Sequence, residues 1–234
     1  MIPLLISPAR ANTSYVVNGS FEVAPLGSGQ LGFNTDATGW TNAQNGNTWG
    51  YNFLFAPGVA DSTGATGSGG NLMLWGPGNG SANGLPASSP DGGNYIAGDG
   101  VFQQGAISQL ITGLTPTQTY VLGFYWAGAQ QQGFDGATTE WWQVTLGTTT
   151  QTTAIVNNVS HGFTGWTYQT MSFVANNASE TLSFLAGGTP NGVPPFTLLD
   201  GVSLVATPEP GTFALIGLGL LVIPIGSLYR RRRP

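Results

Sequence analysis

The amino-acid sequence predicts an all-β protein, an antiparallel β-sandwich with a single transmembrane helix at its C-terminus. Short apolar or alternating runs are separated by clusters of Gly, Asn, Asp and Pro through most of the chain. No helical period of apolar residues precedes residue 211. The composition, with 37 Gly and only 6 % charged residues, is typical of an extracellular β protein with long turns. We therefore expect three parts: residues 1–11, a folded domain at 12–206 and a tail at 207–234.

Ten short segments of the domain have the length and composition of strands. They are 15–17, 71–75, 94–97, 106–112, 119–126, 140–145, 152–156, 166–174, 181–186 and 196–205. Ten strands without intervening helices favour two antiparallel sheets packed face to face. The long connections 57–70, 76–93 and 127–139 are rich in Gly, Ser, Asn and Gln, and such loops are where binding functions usually lie.

Alternation along two of these strands predicts which side chains face the core. On strand 119–126, one side carries Tyr120, Leu122, Phe124 and Trp126. On strand 196–205, the same rule groups Leu198, Asp200, Val202 and Leu204. We expect both sets to be buried on one side of their strand.

The charges are distributed unevenly. The chain has no Lys, and its five Arg are Arg10, Arg230, Arg231, Arg232 and Arg233. Residues 12–206 contain every acidic residue except Glu209 and none of the five Arg, so their formal net charge is −9. Because phosphate binding depends on Lys and Arg, nucleic acid is excluded as a partner. The carboxylates must face water, accept hydrogen bonds or bind a metal ion, for which calcium is the suitable hard cation.

Neither cysteine chemistry nor a catalytic constellation is indicated. The absence of Cys excludes disulfides, zinc thiolates and thiol catalysis. His161 is the only imidazole, and we interpret it as a solvated turn residue rather than a member of a triad. Asp91 with Asp99, or Asp135 with Glu140, could in principle form a glycosidase pair, although most of these acids lie in Gly-rich turns.

The first eleven residues resemble the rear of a signal peptide. A short apolar run precedes Ala9-Arg10-Ala11, which has the small-x-small shape of a signal-peptidase site. The run is short and lacks a basic region before it, so we place the true start upstream of Met1. A disordered N-terminal tail is the alternative interpretation.

The C-terminal tail combines a break, an apolar stretch and a basic cluster. Residues 211–229 are nineteen uncharged residues, which as a helix would extend about 28 Å and span a bilayer. The arginines at 230–233 would stay cytoplasmic and leave the domain outside the inner membrane, in the periplasm. A buried helix with a solvated basic end is the alternative. Before the span, Pro208-Glu209-Pro210 is suited to neither helix nor strand.

This tail resembles the PEP-CTERM sorting signal, which has the Pro-Glu-Pro motif, the apolar span and the Arg cluster in the same order. Thr207 stands where that family usually has Val. The resemblance implies that an exosortase processes the chain in a Gram-negative bacterium that makes exopolysaccharide. It also implies delivery to the cell surface or the extracellular matrix. It concerns routing, not the activity of the domain.

A second resemblance covers nearly all of the domain. The motifs are Val-Asn-Gly-Ser-Phe-Glu at 17–22, Gly-Trp at 39–40, Asp-Gly-Gly-Asn-Tyr at 91–95, Ile-Ser-Gln-Leu at 107–110, Gly-Leu-Thr-Pro at 113–116 and Leu-Asp-Gly-Val at 199–202. In this order they resemble the galactose-binding-like jelly-roll modules, which include carbohydrate-binding modules of glycanases. The resemblance implies a structural calcium near Glu22 and Asp200. Alternatively, either acid accepts backbone N–H bonds without a metal.

Aromatic residues provide the remaining candidate for binding. Trp141 and Trp142 are adjacent in a predicted strand, so their side chains leave opposite faces. Trp142 alternates with Val144 and is expected in the core, whereas Trp141 and Gln143 share the more polar side. We expect Trp141 to be an exposed stacking platform and Gln143 its polar neighbour. Cover by a long loop is the alternative for Trp141.

Taken with the resemblances, these observations predict an exported, non-catalytic surface or matrix protein that binds glycan or exopolysaccharide. A purely structural matrix protein without a ligand is the first alternative. A glycan-active hydrolase is the second.

Overall fold

A computed structural model describes residues 13–45 and 48–208. The predicted signal peptide, the apolar span 211–229, Glu209, Pro210 and Arg230, Arg231, Arg232 and Arg233 lie outside the described residues. In the described part of the chain, no helix is both long enough and apolar enough to cross a bilayer.

The described chain consists of sixteen strands and one 3-10 turn at Pro77–Asn79. The first eight strands are β1 Gly29–Gln30, β2 Thr41–Asn42, β3 Gln44–Asn45, β4 Thr48–Trp49, β5 Asn52–Phe55, β6 Ala65–Gly67, β7 Gly70–Leu72 and β8 Tyr95–Asp99. The other eight are β9 Ile107–Thr112, β10 Thr119–Gln130, β11 Thr138–Leu146, β12 Thr149–Thr152, β13 Val156–Asn158, β14 Thr167–Val174, β15 Ser179–Thr189 and β16 Pro195–Ala206. The predicted all-β class is therefore confirmed for this part of the chain.

Two main antiparallel sheets form the sandwich. The first has the order β1-β5-β8-β16-β10-β14. The second has the order β12-β11-β15-β9-β2, with β13 added to one end of β11. Two short hairpins, β3-β4 and β6-β7, lie outside these sheets. Consecutive strands often lie in different sheets, so the loops between them gather at the ends of the sandwich.

The main core lies between the two sheets. It contains side chains from both, including Phe124 of the first sheet and Trp142 and Phe184 of the second. Phe184 contacts both other rings edge-on, at centroid distances of 5.2 Å to Phe124 and 5.9 Å to Trp142. The predicted inward set of β10, Tyr120, Leu122, Phe124 and Trp126, is confirmed in this core.

A second apolar cluster covers the opposite face of the first sheet. Alternation separates the clusters, because Leu54 and Ile96 belong to the main core whereas Phe53 and Tyr95 belong to the second cluster. Residues of the long connections cover this outer face, among them Ala60, Leu74 and Leu85. The segments predicted as long loops thus build a second layer of packing over the first sheet.

The prediction that one set of side chains shares a single face of β16 is wrong. Val202 and Leu204 lie in the main core, but Leu198 lies in the second cluster. The register with β10 shifts between Gly123 and Tyr125, where β16 contains an extra residue. Such a β-bulge reverses the alternation of side chains. Asp200 is therefore buried as expected, but on the face of Leu198 rather than on that of Val202.

Candidate functional site

Trp141 lies on the outer face of the second sheet. Along β11, the side chains of Glu140, Trp142 and Val144 are buried, whereas Trp141 is half-buried and Gln143 is exposed. Trp142 donates its indole N–H to the carbonyl of Leu198 at 3.0 Å, which fixes it in the core as expected. Strand alternation therefore places the two predicted ligand-binding side chains on one accessible face.

The indole of Trp141 lies across the neighbouring strand. Its partner in register on β15 is Gly187. A Cβ atom at Gly187 would lie 2.3 Å from Cε2 and 2.4 Å from Nε1 of Trp141, so only glycine leaves room for the ring. One face of the indole is thus occupied by backbone, and the ring is held in a fixed orientation on the sheet.

Paired hydroxyl groups lie on the same face of the sheet as this ring. Register places Gln143 opposite both Leu185 of β15 and Thr152 of β12. The hydroxyl groups pair across strands, with oxygen–oxygen distances of 2.6 Å for Thr139–Thr189, 2.9 Å for Thr145–Thr150 and 2.9 Å for Thr41–Ser108. In the strands of this sheet, the acids Glu140 and Glu180 point to the buried face. In these strands the outer face therefore carries no charged side chain, and it combines hydroxyl and amide groups with one indole ring and the 63 % exposed Leu110.

Asp200 is a fully buried carboxylate beside the bulge of β16. Its Oδ2 accepts a hydrogen bond from the Ser89 hydroxyl, and its Oδ1 has no hydrogen-bond partner. Burial raises the pKa of Asp200 to about 8, and the charges of Asp91 and Glu22 reinforce the rise. The Ser89 hydroxyl and the Gly201 N–H oppose the rise. Sequence reasoning did not identify Ser89, because one Ser in a Ser-Pro-rich loop carries no signal.

Glu22 reaches the same region from the other end of the chain. Its Oε1 accepts a hydrogen bond from the backbone N–H of Asn94 at 2.7 Å. The carboxylate fits because Gly93 has no side chain: a Cβ there would lie 1.7 Å from Oε1. Asp91 belongs to the same turn, and its Cγ lies 3.1 Å from the position of a Cβ on Gly201. Glu22, Asp91 and Asp200 thus lie within electrostatic reach of one another.

The argument for a calcium ion in this region depends on an unpaired carboxylate oxygen of Asp200. Asp200 Oδ1 is buried without a partner, and no Lys or Arg occurs among the described residues to neutralise it. Within those residues, no three His, Asp or Glu side chains are grouped as a metal site would require. Carbonyl and hydroxyl oxygens would therefore have to complete a coordination shell around Glu22 and Asp200. The backbone bond of Glu22 is the metal-free arrangement that the sequence left open.

His161 is not part of a triad. Its Nε2 lies 2.5 Å from Oδ1 of Asp135, and its ring stacks on Trp75 at a centroid distance of 4.0 Å. The neighbouring Ser160 hydroxyl accepts the N–H of Gly136 and does not contact the imidazole. His161 is therefore a surface residue held by an acid and an indole.

The considered carboxylate pairs do not lie together in one cleft. Asp91 and Asp99 line different cavities. Asp135 has a side chain that is 87 % exposed, whereas Glu140 is fully buried. Two carboxyl groups flanking one accessible bond are what glycoside hydrolysis requires, and neither pair has this arrangement.

The chain leaves the sandwich at the start of the tail. The last strand ends at Ala206, and Thr207 still donates its N–H to the carbonyl of Thr119 at 3.0 Å. Pro208, the first residue of the sorting motif, is exposed. The motif therefore begins two residues after the last strand, at an exposed position.

Comparison with known proteins identifies this tail. Residues 206–233 match the PEP-CTERM protein-sorting motif, which implies export and sorting to the cell surface. The match confirms the resemblance seen at Pro208-Glu209-Pro210. No curated protein is significantly similar in sequence to the chain.

Several solved structures resemble the domain. A CBM61 module solved with β-1,4-galactotriose is 13 % identical, with a TM-score of 0.41 over 83 % of this chain and 99 % of that one. The CBM22-1 xylan-binding domain of Xyn10C from Paenibacillus barcinonensis is 13 % identical, with a TM-score of 0.39 over 86 % and 99 %. The K1 cleaved adhesin domain of Lys-gingipain from Porphyromonas gingivalis W83 is 12 % identical, with a TM-score of 0.43 over 81 % and 96 %.

Proposed function

We propose that the protein is an exported, non-catalytic surface protein that binds glycan through the outer face of its second sheet. The observation that carries the proposal is the indole of Trp141, laid across Gly187 on an uncharged face with Gln143 beside it. An aromatic ring held flat can stack on the apolar face of a pyranose, and amide and hydroxyl groups can bond its hydroxyls. The host's own exopolysaccharide is the glycan we favour.

The route to the surface forms part of this proposal. An exosortase would recognise Pro208, Glu209 and Pro210, while residues 211–229 hold the chain in the inner membrane. Arg230, Arg231, Arg232 and Arg233 would keep the end of the chain in the cytoplasm. The domain would first face the periplasm and then reach the cell surface or the matrix. The sorting-motif match supports this route.

Trp141→Ala tests the proposed binding face. We expect wild-type protein to bind exopolysaccharide saturably in a pull-down assay. The variant should lose about tenfold in affinity, which corresponds to about 1.4 kcal/mol, because it lacks the ring proposed to stack on the sugar. Gly187→Ala should have a similar effect, because the added methyl group displaces the indole. Tyr168→Ala, which removes a 52 % exposed ring from the other sheet, is the matched control.

Three results would decide against the proposal. Absence of saturable binding to a glycan array and to the exopolysaccharide would favour a purely structural matrix protein. Release of reducing sugar, abolished by replacing one carboxylate, would identify a hydrolase. Equal loss of binding in Trp141→Ala and Tyr168→Ala would remove the second sheet as the binding face.

We also propose that Glu22 and Asp200 contribute ligands to a structural calcium ion. When bound, the ion would neutralise the buried carboxylate of Asp200, which has an unpaired oxygen. Ligands that bind only the folded state raise its melting temperature by mass action. We therefore expect calcium to raise the melting temperature of wild-type protein and not that of Asp200→Asn. An unchanged wild-type melting temperature with calcium and with chelator would disprove the metal site.

A further inference from the structure

A separate cavity of about 310 Å³ opens at one end of the sandwich. Asp99 at the end of β8 meets the β10–β11 connection and the β15–β16 turn there, and the lining includes Tyr51, Phe102, Gln131, Phe134 and Asn191. This volume lies at the lower end of the range of small-molecule sites, roughly 300–1,000 Å³. The cavity therefore suits a compact ligand.

The carboxylate of Asp99 is only half satisfied. Its Oδ1 accepts hydrogen bonds from the backbone N–H groups of Val101 at 2.8 Å and Phe102 at 2.9 Å. Its Oδ2 is buried and accepts no hydrogen bond, and the residue as a whole is only 2 % exposed. Burial of a carboxylate without a partner is unfavourable. One oxygen of this side chain, at the edge of the cavity, therefore lacks a donor among the described residues.

The charge on Asp99 is also uncompensated. Burial raises the pKa of Asp99 to about 6, with the N–H groups of Phe102 and Val101 opposing the rise, so the group is mainly ionised at neutral pH. Tyr51 lines the same cavity, and burial and the charge of Asp99 together raise the pKa of its phenol. No Lys or Arg is present among residues 13–45 and 48–208. A ligand that carries a positive charge would meet this requirement better than a neutral one.

Aromatic rings complete the surroundings of the acid. Phe102 is 52 % exposed and meets Tyr51 edge-on at a centroid distance of 5.1 Å. Phe134, half-buried, lines the same cavity. Cations are attracted to aromatic faces, and a carboxylate beside such rings is a recurring way to hold an ammonium group. The side-chain amides of Gln131 and Asn191 remain available for the rest of a ligand.

We propose that this cavity binds a protonated primary amine carried on a compact, partly apolar frame, with the ammonium group at Asp99. The 2-amino group of a de-N-acetylated amino sugar has this chemistry, because its ring offers apolar C–H groups to Phe102 and hydroxyls to the amides. The proposal concerns residues distinct from Trp141 and Gln143, and it does not depend on glycan binding by the second sheet.

Calorimetric titration of the full-length protein in detergent micelles tests the proposal at neutral pH. The probes are glucosamine, N-acetylglucosamine and glucose, which share a pyranose ring and differ at C2, where only glucosamine carries a positive charge. We expect glucosamine to bind about tenfold or more tightly than the other two, the size expected for a hydrogen bond to a charged group. Asp99→Asn, which keeps the oxygen that accepts from Val101 and Phe102, should lose this preference.

Two further variants keep the test decisive. Asp36→Asn removes an exposed acid elsewhere and should bind glucosamine like wild type, whereas general attraction to the acidic domain would weaken both Asn variants equally. If Asp99→Asn does not fold, Phe102→Ala keeps the carboxylate and should still weaken glucosamine binding several-fold. Equal affinity for glucose and glucosamine, or no heat of binding at millimolar glucosamine, would overturn the proposal. A loss of exopolysaccharide binding in Trp141→Ala is measured separately, so the two proposals can fail independently.

Discussion

Glu140 is a buried acid on the core-facing side of the strand that presents Trp141. Its Oε1 accepts a hydrogen bond from Thr138, and its Oε2 has no partner. Glycine at position 128 makes room for it, because a Cβ there would lie 2.6 Å from Oε2. The carboxyl group thus lies in a space formed for it, yet without a cation to balance its charge. Its protonation state should therefore affect the stability of the fold.

Glu140→Gln should change how stability depends on pH. Burial raises the pKa of Glu140 to about 7 from its ordinary value of 4.5, and the Thr138 hydroxyl and the nearby Asn158 amide oppose the rise. The folded state therefore holds a proton that the unfolded chain releases, so the stabilisation is complete below about pH 4.5 and is lost as the pH rises to about 7. Chemical denaturation with chelator present should show this decline in wild type.

The difference between wild type and variant isolates Glu140, because Asp99 and Asp200 also have raised pKa values. We expect Glu140→Gln to gain about 1–3 kcal/mol relative to wild type between pH 5 and pH 8, at about 1.4 kcal/mol per pKa unit. Asp36→Asn, an exposed acid, should leave the slope unchanged. Parallel curves for wild type and Glu140→Gln would show that Glu140 titrates normally in the folded state.

At the scale of elements, the bulge in β16 determines which acid faces which layer. Gly201 lies within it with a φ of 58°, a left-handed conformation that glycine adopts without strain. A Cβ at this position would lie 3.0 Å from Cδ2 of Tyr125 and 3.1 Å from Cγ of Asp91. The bulge thus turns Asp200 towards Ser89 and Glu22 while Val202 stays in the main core.

Gly201→Ala should destabilise the protein more than Gly165→Ala. Both glycines have positive φ, which disfavours alanine by about 1–2 kcal/mol. Only the Cβ at Gly201 meets neighbouring atoms, since none lies within 4 Å of a Cβ at Gly165. We therefore expect Gly201→Ala to lower the free energy of unfolding by roughly 1 kcal/mol more than the control. Equal losses in urea titrations would show that the bulge accommodates a methyl group.

The same bulge explains a limit of sequence reasoning. Period-two alternation correctly placed Tyr120, Leu122, Phe124 and Trp126, because β10 is regular there. It failed for Leu198, since Gly in a strand does not reveal whether it adds an unpaired residue. Strand β5 was missed although its four residues are fully buried. A short run beside Gly- and Asn-rich segments has too few residues to show a period.

The candidate sites differ in how far sequence could predict them. Adjacent tryptophans in one strand must face opposite ways, so their placement on opposite faces followed from geometry alone; Trp142 is buried and Trp141 is half-buried. Glu22 and Asp200 were identified by resemblance, and the fold brings both to one region. The cavity at Asp99 could not be predicted, because its lining comes from five separate connections that meet only after folding.

At the scale of the whole molecule, the domain and the tail contain different functional groups. The described domain contains all the candidate binding groups and no Lys or Arg, whereas the four C-terminal Arg lie in the matched sorting motif. A domain with net negative charge and buried acids is suited to an exterior where calcium or amines can neutralise them. The tail determines whether the domain arrives there.

Replacing Pro208-Glu209-Pro210 with alanines should block sorting without affecting the fold. The last strand ends at Ala206 and Pro208 is exposed, so the change should leave the strands of the domain intact. We expect the variant to keep the wild-type melting temperature and glycan affinity but to remain in the inner-membrane fraction, as judged by immunodetection after cell fractionation. Alanine at Thr148 and Thr149, two exposed residues where the β11–β12 turn meets β12, provides the control. Surface delivery of the Pro-Glu-Pro variant at the wild-type level would show that sorting does not depend on this motif.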